Sequence, residues 1–288
     1  MTTIQTDEEN KQPMSGISYR ELFDLRGKVA VVTGGVGILG QYFCAGLAES
    51  GANVVVVDLQ GETAQKSAQS LAERYKIKAI GLGCDVSEPK SVQAMVAEVV
   101  AEFGEINILH NNAAGKSDDL DAFFAPFEEY RFDQWRQIMA VNLDGMFLVA
   151  QAVGKQMVAQ GRGGSIIQTA SIYGVMAPDH RIYEGSFYLG RQINTPAVYT
   201  ASKAAVIGLT KHLATYWADK GIRVNTLTPG GTESGQNEEF KRRYSARIPL
   251  GRMANAHEMV GALLYLASDA SSYVTGQNII VDGGLSAW

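Results

Sequence analysis

The sequence is poor in residues that cross-link a chain or bind metal. Its two cysteines, Cys44 and Cys84, are too few for a disulfide framework and show no C-x-x-C spacing. They read as small buried apolar side chains in a reducing compartment. Four histidines, His110, His180, His212 and His257, fall into no H-x-x-x-H pattern, so no metal site is expected. Excess charge is also small: 25 basic against 30 acidic residues leave a net charge of −5, which gives no broad attraction to nucleic acid or anionic lipid. No apolar run approaches the ~20 residues of a membrane span, and the stretch Met1 to Arg20 lacks the apolar centre of a secretory signal. These absences predict a soluble, cytoplasmic protein whose partner is a small molecule rather than a nucleic acid or a membrane.

What is present is a core and a rhythm. The 288 residues are 46% hydrophobic, ample for one large domain. A β-branched run at Lys28 to Thr33 leads through glycines to a helical pattern from about Gln41 to Ser50. The run Asn53 to Asp58, a helix to about Arg74 and a strand near Ala79 to Leu82 follow. The alternation continues with a helix at Ser91 to Phe103, a strand at Ile106 to Leu109, a helix at Asp133 to Gln160 and a strand at Ser165 to Gln168. A helix at Lys203 to Asp219, a strand at Arg223 to Leu227, a helix at Ala256 to Ser268 and a strand at Asn278 to Val281 complete it. Met139, Met146 and Met157 on the Asp133 to Gln160 helix read as core. Strands alternating with helices predict an α/β fold, a doubly wound parallel sheet of seven strands in one domain (23–288), behind a polar N-terminal tail (1–22). Three stretches break the rhythm and are expected to form the mouth of a site: 116–130, an insertion at 178–196, and 231–247.

Thr33-Gly34-Gly35-Val36-Gly37-Ile38-Leu39-Gly40 sits between the first strand and first helix, where glycines let backbone N–H groups and a helix N-terminus approach a pyrophosphate. Asp58 ends the second strand, where a carboxylate accepts hydrogen bonds from both ribose hydroxyls and repels a 2′-phosphate; NAD is therefore the expected cofactor. Tyr199 and Lys203 are an i,i+4 pair sharing one helix face. An ammonium about 4 Å from a phenol lowers its pKa by roughly 3 units at an effective dielectric near 20, which brings the tyrosine toward the range of a base. Ser171 follows a strand at the carboxyl edge of the sheet, where its hydroxyl can orient a substrate oxygen. Asn142 lies inside a helix that it disfavours unless it bonds something particular.

Together these marks resemble the short-chain dehydrogenase/reductase family, in its single-domain form, from about Leu22 to Trp288. The resemblance also rests on Cys84-Asp85-Val86, Asn111-Asn112-Ala113-Ala114, Pro229-Gly230 and the segment Tyr273 to Gly284. It implies an oxidoreductase that interconverts a secondary alcohol and a ketone with NAD(H). In that scheme Tyr199 is general acid/base, Ser171 polarises the substrate oxygen, Lys203 binds the nicotinamide ribose and lowers the tyrosine pKa, and Asn142 holds a water in a proton relay. Gly34, Val36, Gly37, Ile38, Leu39 and Gly40 hold the dinucleotide, with Asp58 and Leu59 beside it. Asp85 and Val86 flank the adenine; Asn112, Ala113 and Ala114, supported by Asn111, line the cofactor side; and Pro229, Gly230 and Thr232 meet the nicotinamide end with Tyr199 and Lys203.

The family also implies a homotetramer or homodimer, with the helix from Lys203 to Trp217 partly buried between subunits. Three departures qualify the transfer. The glycine spacing is T-G-x-x-G-x-x-G, usual in extended members acting on nucleotide sugars. Gly115 follows Asn-Asn-Ala-Ala one place late, and Ser171 and Tyr199 stand 28 residues apart, about twice the usual interval. The insertion carries His180, Arg181, Tyr183, Glu184, Tyr188 and Arg191, and resembles members of sugar metabolism and of surface-sugar biosynthesis, so a sugar, polyol or sugar acid is the expected substrate. Two other readings stand beside it: an NAD-dependent epimerase or dehydratase of a sugar derivative, and a non-catalytic nucleotide-sensing protein.

Overall fold

Runs of valine buried on both faces make the first two strands, and a computed structural model describes residues 18–117 and 119–288 of the chain. Most of the polar tail, residues 1–17, lies outside the described residues. In order, β1 (Val29–Thr33), α1 (Gly40–Glu49), β2 (Asn53–Asp58), α2 (Gly61–Tyr75), β3 (Ala79–Gly83), α3 (Pro89–Phe103) and β4 (Ile108–Asn111) form the first half. After a four-residue helix α4 (Leu120–Phe123) come α5 (Phe132–Met139), α6 (Met146–Gln160), β5 (Gly164–Thr169), the two short strands β6 (Phe187–Tyr188) and β7 (Arg191–Gln192), and α7 (Ala197–Tyr216). The chain ends with β8 (Ile222–Pro229), α8 (Glu238–Ser245), α9 (Val260–Ala267) and β9 (Asn278–Val281).

Seven strands form one parallel sheet in the order β3-β2-β1-β4-β5-β8-β9, the doubly wound arrangement expected from the sequence. Alternate strand residues point to opposite faces. Val32, Val54, Val56 and Ile167 pack with Phe43, Leu47 and Leu263 on one side. Val31, Val55, Leu109 and Ile166 pack with Val99, Val153, Met157 and Trp217 on the other. A third apolar cluster lies beyond the sheet, where Tyr173, Ile182, Tyr183, Phe240, Tyr244 and Met253 come together. It joins the 178–196 insertion and the 231–247 stretch to Tyr173, which follows β5, and to Met253.

Several boundaries differ from the sequence reading. β4 starts two residues after Ile106, because the backbone of Ile106 is taken by a side chain: Gln160 Oε1 accepts from its N–H and Gln160 Nε2 donates to its carbonyl. The helix predicted from Lys203 begins at Ala197, since Pro196 supplies a fixed φ of −67° at its N-cap. This places Tyr199 in the first turn. The helix predicted over Asp133 to Gln160 is interrupted by a π-helical turn, Ala140–Gly145. By length and composition the Phe132–Gln160 segment passes for a membrane span, yet its inner face is core of the domain. α4, α8 and the β6–β7 hairpin had no forecast. α8 forms because Asn237 caps it through the N–H of Phe240 and because Phe240 and Tyr244, at i,i+4, are both buried. The β6–β7 hairpin turns through Leu189 and Gly190, both at positive φ, a conformation that leucine does not advertise.

Candidate active site

The strand order reverses direction between β1 and β4, which opens a crevice at their carboxyl ends. Thr33, the last residue of β1, bridges it: its hydroxyl accepts from the N–H of Asn112 (2.9 Å) and of Ala113 (3.0 Å) and donates to Asn111 Oδ1. Asn112 Nδ2 returns to the carbonyl of Thr33. Sequence reading placed Thr33 at the head of the glycine turn but gave it no role of its own.

The turn needs its glycines for space. A Cβ on Gly40 would stand 2.0 Å from the Gly34 carbonyl oxygen, and Gly34, at φ +64°, lies against Ala113. The turn thus presses directly on the β4 loop and presents the N-terminus of α1 to the crevice, as an anion site requires. Asp58 is half-buried beside it, with Oδ2 accepting from the Val36 N–H at 3.2 Å. Ile38 and Leu59 are exposed at the rim of this groove. Asp85 accepts from the N–H and hydroxyl of Ser87, and Val86 is buried against Gly145. Asn111 donates to the carbonyl of Met146 and so ties β4 to the start of α6.

Asn142 occupies the π turn. It is fully buried; Oδ1 accepts from the Gly115 N–H at 2.8 Å, and Nδ2 has no partner among the described residues. A π turn changes the direction of a side chain within a helix and is frequent at functional sites. The late Gly115 is therefore placed by Asn142 itself. Lys203, 2% exposed, donates to the Thr169 carbonyl at 2.9 Å, and its Nζ stands 6.0 Å from the centre of the Tyr199 ring. Burial pulls the Lys203 ammonium down to about 8. Burial pushes the Tyr199 phenol up, and a hydrogen bond with Ser171 opposes the rise. This corrects the expected electrostatics: within the protein alone, loss of solvent outweighs any lowering of the tyrosine by lysine.

Ser171 and Tyr199 share the wall of a cleft of about 280 Å³, together with Gly230, Thr232 and residues of all three stretches that break the strand–helix rhythm. Phe124 comes from the first stretch, Tyr183, Tyr188, Ile193, Asn194 and Thr195 from the insertion, and Gln236, Phe240 and Tyr244 from the third. Sequence reading selected Tyr183 and Tyr188 and missed the others, which carry no periodic or motif signal. The insertion's charged residues are engaged elsewhere: Arg181 with Asp179, Glu184 with Arg243, Arg191 with Asp121. His180 lines a separate apolar groove nearby. Pro229 ends β8, and Gly230 packs so closely on Asp282 that a Cβ would lie 2.6 Å from its Cα. Thr232 Oγ1 is buried with no partner among the described residues. Among the described residues no cluster of His, Cys, Asp or Glu has metal-binding geometry.

A dinucleotide crevice at the sheet switch point, with Ser, Tyr and Lys converging beside a cleft, defines a class of dinucleotide-dependent oxidoreductases. Residues 37–286 match the family model described as enoyl-(acyl carrier protein) reductase. The chain belongs to the short-chain dehydrogenase/reductase family. It is 38% identical over 268 residues to the D-threitol dehydrogenase of Mycolicibacterium smegmatis, covering 91% of this chain and 94% of that one. It is 37% identical over 269 residues to the 2-dehydro-3-deoxy-D-gluconate 5-dehydrogenase of Escherichia coli, covering 91% and 96%. Its fold matches the crystal structure of a gluconate 5-dehydrogenase from Burkholderia cenocepacia, in complex with NADP and tartrate, with a TM-score of 0.82 and 36% identity over 93% of this chain and 98% of that one.

Proposed function

We propose that the protein interconverts a secondary alcohol and a ketone on a sugar-like substrate, using NAD(H), with Tyr199 as general acid/base. The observation that carries this reading is the meeting of Ser171 and Tyr199 on the wall of a cleft that adjoins Gly230 and Thr232. When bound, the nicotinamide supplies or takes the hydride. In the oxidative direction Tyr199 takes the hydroxyl proton while Ser171 donates to the substrate oxygen and holds it in place. Lys203, released from Thr169 or shared with it, reaches the ribose. Asn142 Nδ2, left unpartnered, is suited to hold the water through which the tyrosine's proton reaches solvent.

The crevice residues fit a dinucleotide: the glycine turn admits no Cβ at Gly40, and Gly34, Val36, Gly37, Ile38 and Leu39 surround the α1 N-terminus. Asp85, Val86, Asn112, Ala113 and Ala114 complete its walls, and Pro229, Gly230 and Thr232 close the nicotinamide end. Asp58 favours NAD over NADP, because a 2′-phosphate would have to approach a carboxylate already fixed by the turn. The Burkholderia relative crystallised with NADP, so cofactor choice is a direct test. The relatives act on threitol and on 2-dehydro-3-deoxy-D-gluconate, which supports a hydroxylated substrate of four to six carbons. We place the enzyme in the cytoplasm, as a homodimer or homotetramer.

The test is an assay of alditols, sugar acids and their keto forms, read by absorbance of the reduced cofactor with NAD and NADP in parallel. Turnover is expected with NAD at least tenfold better in kcat/KM, on the scale of one lost charge-assisted contact. Tyr199→Phe is expected to lose turnover by about 10²-fold or more while still binding NADH. NADH binding without turnover of any compound would favour the nucleotide-sensing reading. Bound NAD retained with no net redox change would favour the epimerase.

A further inference from the structure

Several polar side chains on the wall of the cleft are already engaged. The Tyr183 hydroxyl donates to that of Tyr173 and is bonded to Thr195. The Tyr188 hydroxyl accepts from Lys116 Nζ. Gln236 Oε1 accepts from the Ser234 N–H, and its Nε2 donates to the Thr232 carbonyl and to the Ser234 hydroxyl. Thr232 Oγ1 and the Tyr244 hydroxyl have no partner among the described residues. A hydroxyl, however, turns to donate or to accept as its neighbour requires, so these two select no polarity.

Asn194 differs. Its Nδ2 donates to the Phe124 carbonyl at 2.8 Å, which fixes the orientation of the amide, and its Oδ1 is buried without a partner among the described residues. An amide oxygen can only accept. The backbone beside it is held too: Thr195 is tied to Tyr183, and Pro196 stands at the N-cap of α7, whose first turn carries Tyr199. Asn194 therefore sets a fixed acceptor on the same wall as the acid/base, five residues before it in the chain. Its demand on a ligand is an O–H or N–H donor.

Ser171 and Tyr199 hold the reacting oxygen in the oxidoreductase reading above, so this donor is a second group of the substrate. Resting on that reading, we propose that Asn194 is a specificity-determining residue whose Oδ1 accepts from a hydroxyl other than the one oxidised. The enzyme then requires that second hydroxyl and rejects the deoxy compound, because losing it leaves the oxygen buried and unpaired. An alditol and a sugar acid meet the demand equally.

The test compares the best substrate of the alditol and sugar-acid assay with its monodeoxy forms at each carbon other than the one oxidised. In the parent enzyme one monodeoxy form is expected to lose at least about tenfold in kcat/KM, the scale of one unpaired buried acceptor. In Asn194→Ala that ratio is expected to narrow to within about threefold, while the ratios for the other monodeoxy forms keep their parent values. A merely structural role would lower the substrate and its deoxy form together and leave the ratio as it was. Asn194→Leu, close in volume, serves as a second variant, and the parent series is decisive without either. The proposal is overturned, with the oxidoreductase reading intact, if no monodeoxy form loses as much as tenfold. A ratio that stays above about threefold in the variants also overturns it, and would turn the oxygen toward the neighbouring groove that Asn194 also lines. No turnover of any compound with NADH still bound overturns both readings.

Discussion

Lys203 shows what a working residue costs the fold. Its ammonium is buried with one carbonyl for company, and the fall from an ordinary 10.5 to about 8 is worth roughly 3 kcal/mol of disfavoured charge. Between those two values the unfolded chain holds a proton that the folded chain has released, so this contribution to stability improves as pH rises from about 8 to about 10.5. Below about 8 the full penalty stands. Lys203→Met removes the penalty and a hydrogen bond worth about 1 kcal/mol. The cofactor-free variant is therefore expected to be more stable than the parent at pH 7, by about 1–2 kcal/mol in urea denaturation, with the gap closing toward pH 10, and to be inactive. A variant less stable than the parent at pH 7 would contradict this account. At this scale the sequence was legible wherever spacing encodes chemistry: Asp58, Asn142, Ser171, Tyr199 and Lys203 all stand at the crevice or cleft. It was silent about Asn194 and Phe240, and about the hydrogen bonds of Thr33, whose importance arises from what folding brings beside them.

Among the elements, the π turn at Ala140–Gly145 does two things at once. It aims Asn142 inward, and through Oδ1 it holds the Gly115 N–H, fastening the loop after β4 to the long helix. Asn142→Ala would leave that amide buried without an acceptor, at a cost of about 1–3 kcal/mol. A loss of this size in chemical denaturation is expected, together with a fall in turnover, and unchanged stability would show that water or a shifted loop replaces the bond. Element types were read from the sequence more surely than element edges. β1 and β2 could be read because they are buried on both faces and so are rich in valine, while the others were read from their place in the alternation. α8 and the β6–β7 hairpin were not, since the first is a polar helix with only two inward aromatics and the second turns on a leucine at positive φ.

Across the whole molecule, the outer surface of α6 and α7 has its own character. α6 and α7 flank a groove of about 660 Å³ in which Phe147, Val158, Leu209, Leu213, Tyr216 and Trp217 are joined by Lys155, Asp219 and Lys220. Phe147 is 44% and Tyr216 67% exposed, an arrangement that suits packing of this helix pair against the same pair on a second copy. Phe147→Glu is expected to shift the sedimenting species to a smaller mass without loss of the folded far-ultraviolet spectrum. An unchanged mass would show that this groove carries no contact between copies.

The hydrogen bond from the Val36 amide to Asp58 has a consequence for anyone redesigning the cofactor preference. The carboxylate proposed to screen the ribose also fastens the glycine turn, so a single side chain serves as both gatekeeper and scaffold. Replacing Asp58 to admit a phosphorylated ribose therefore slackens the landing platform at the same stroke, and a successful redesign has to give the Val36 amide a new acceptor as well as remove the old charge.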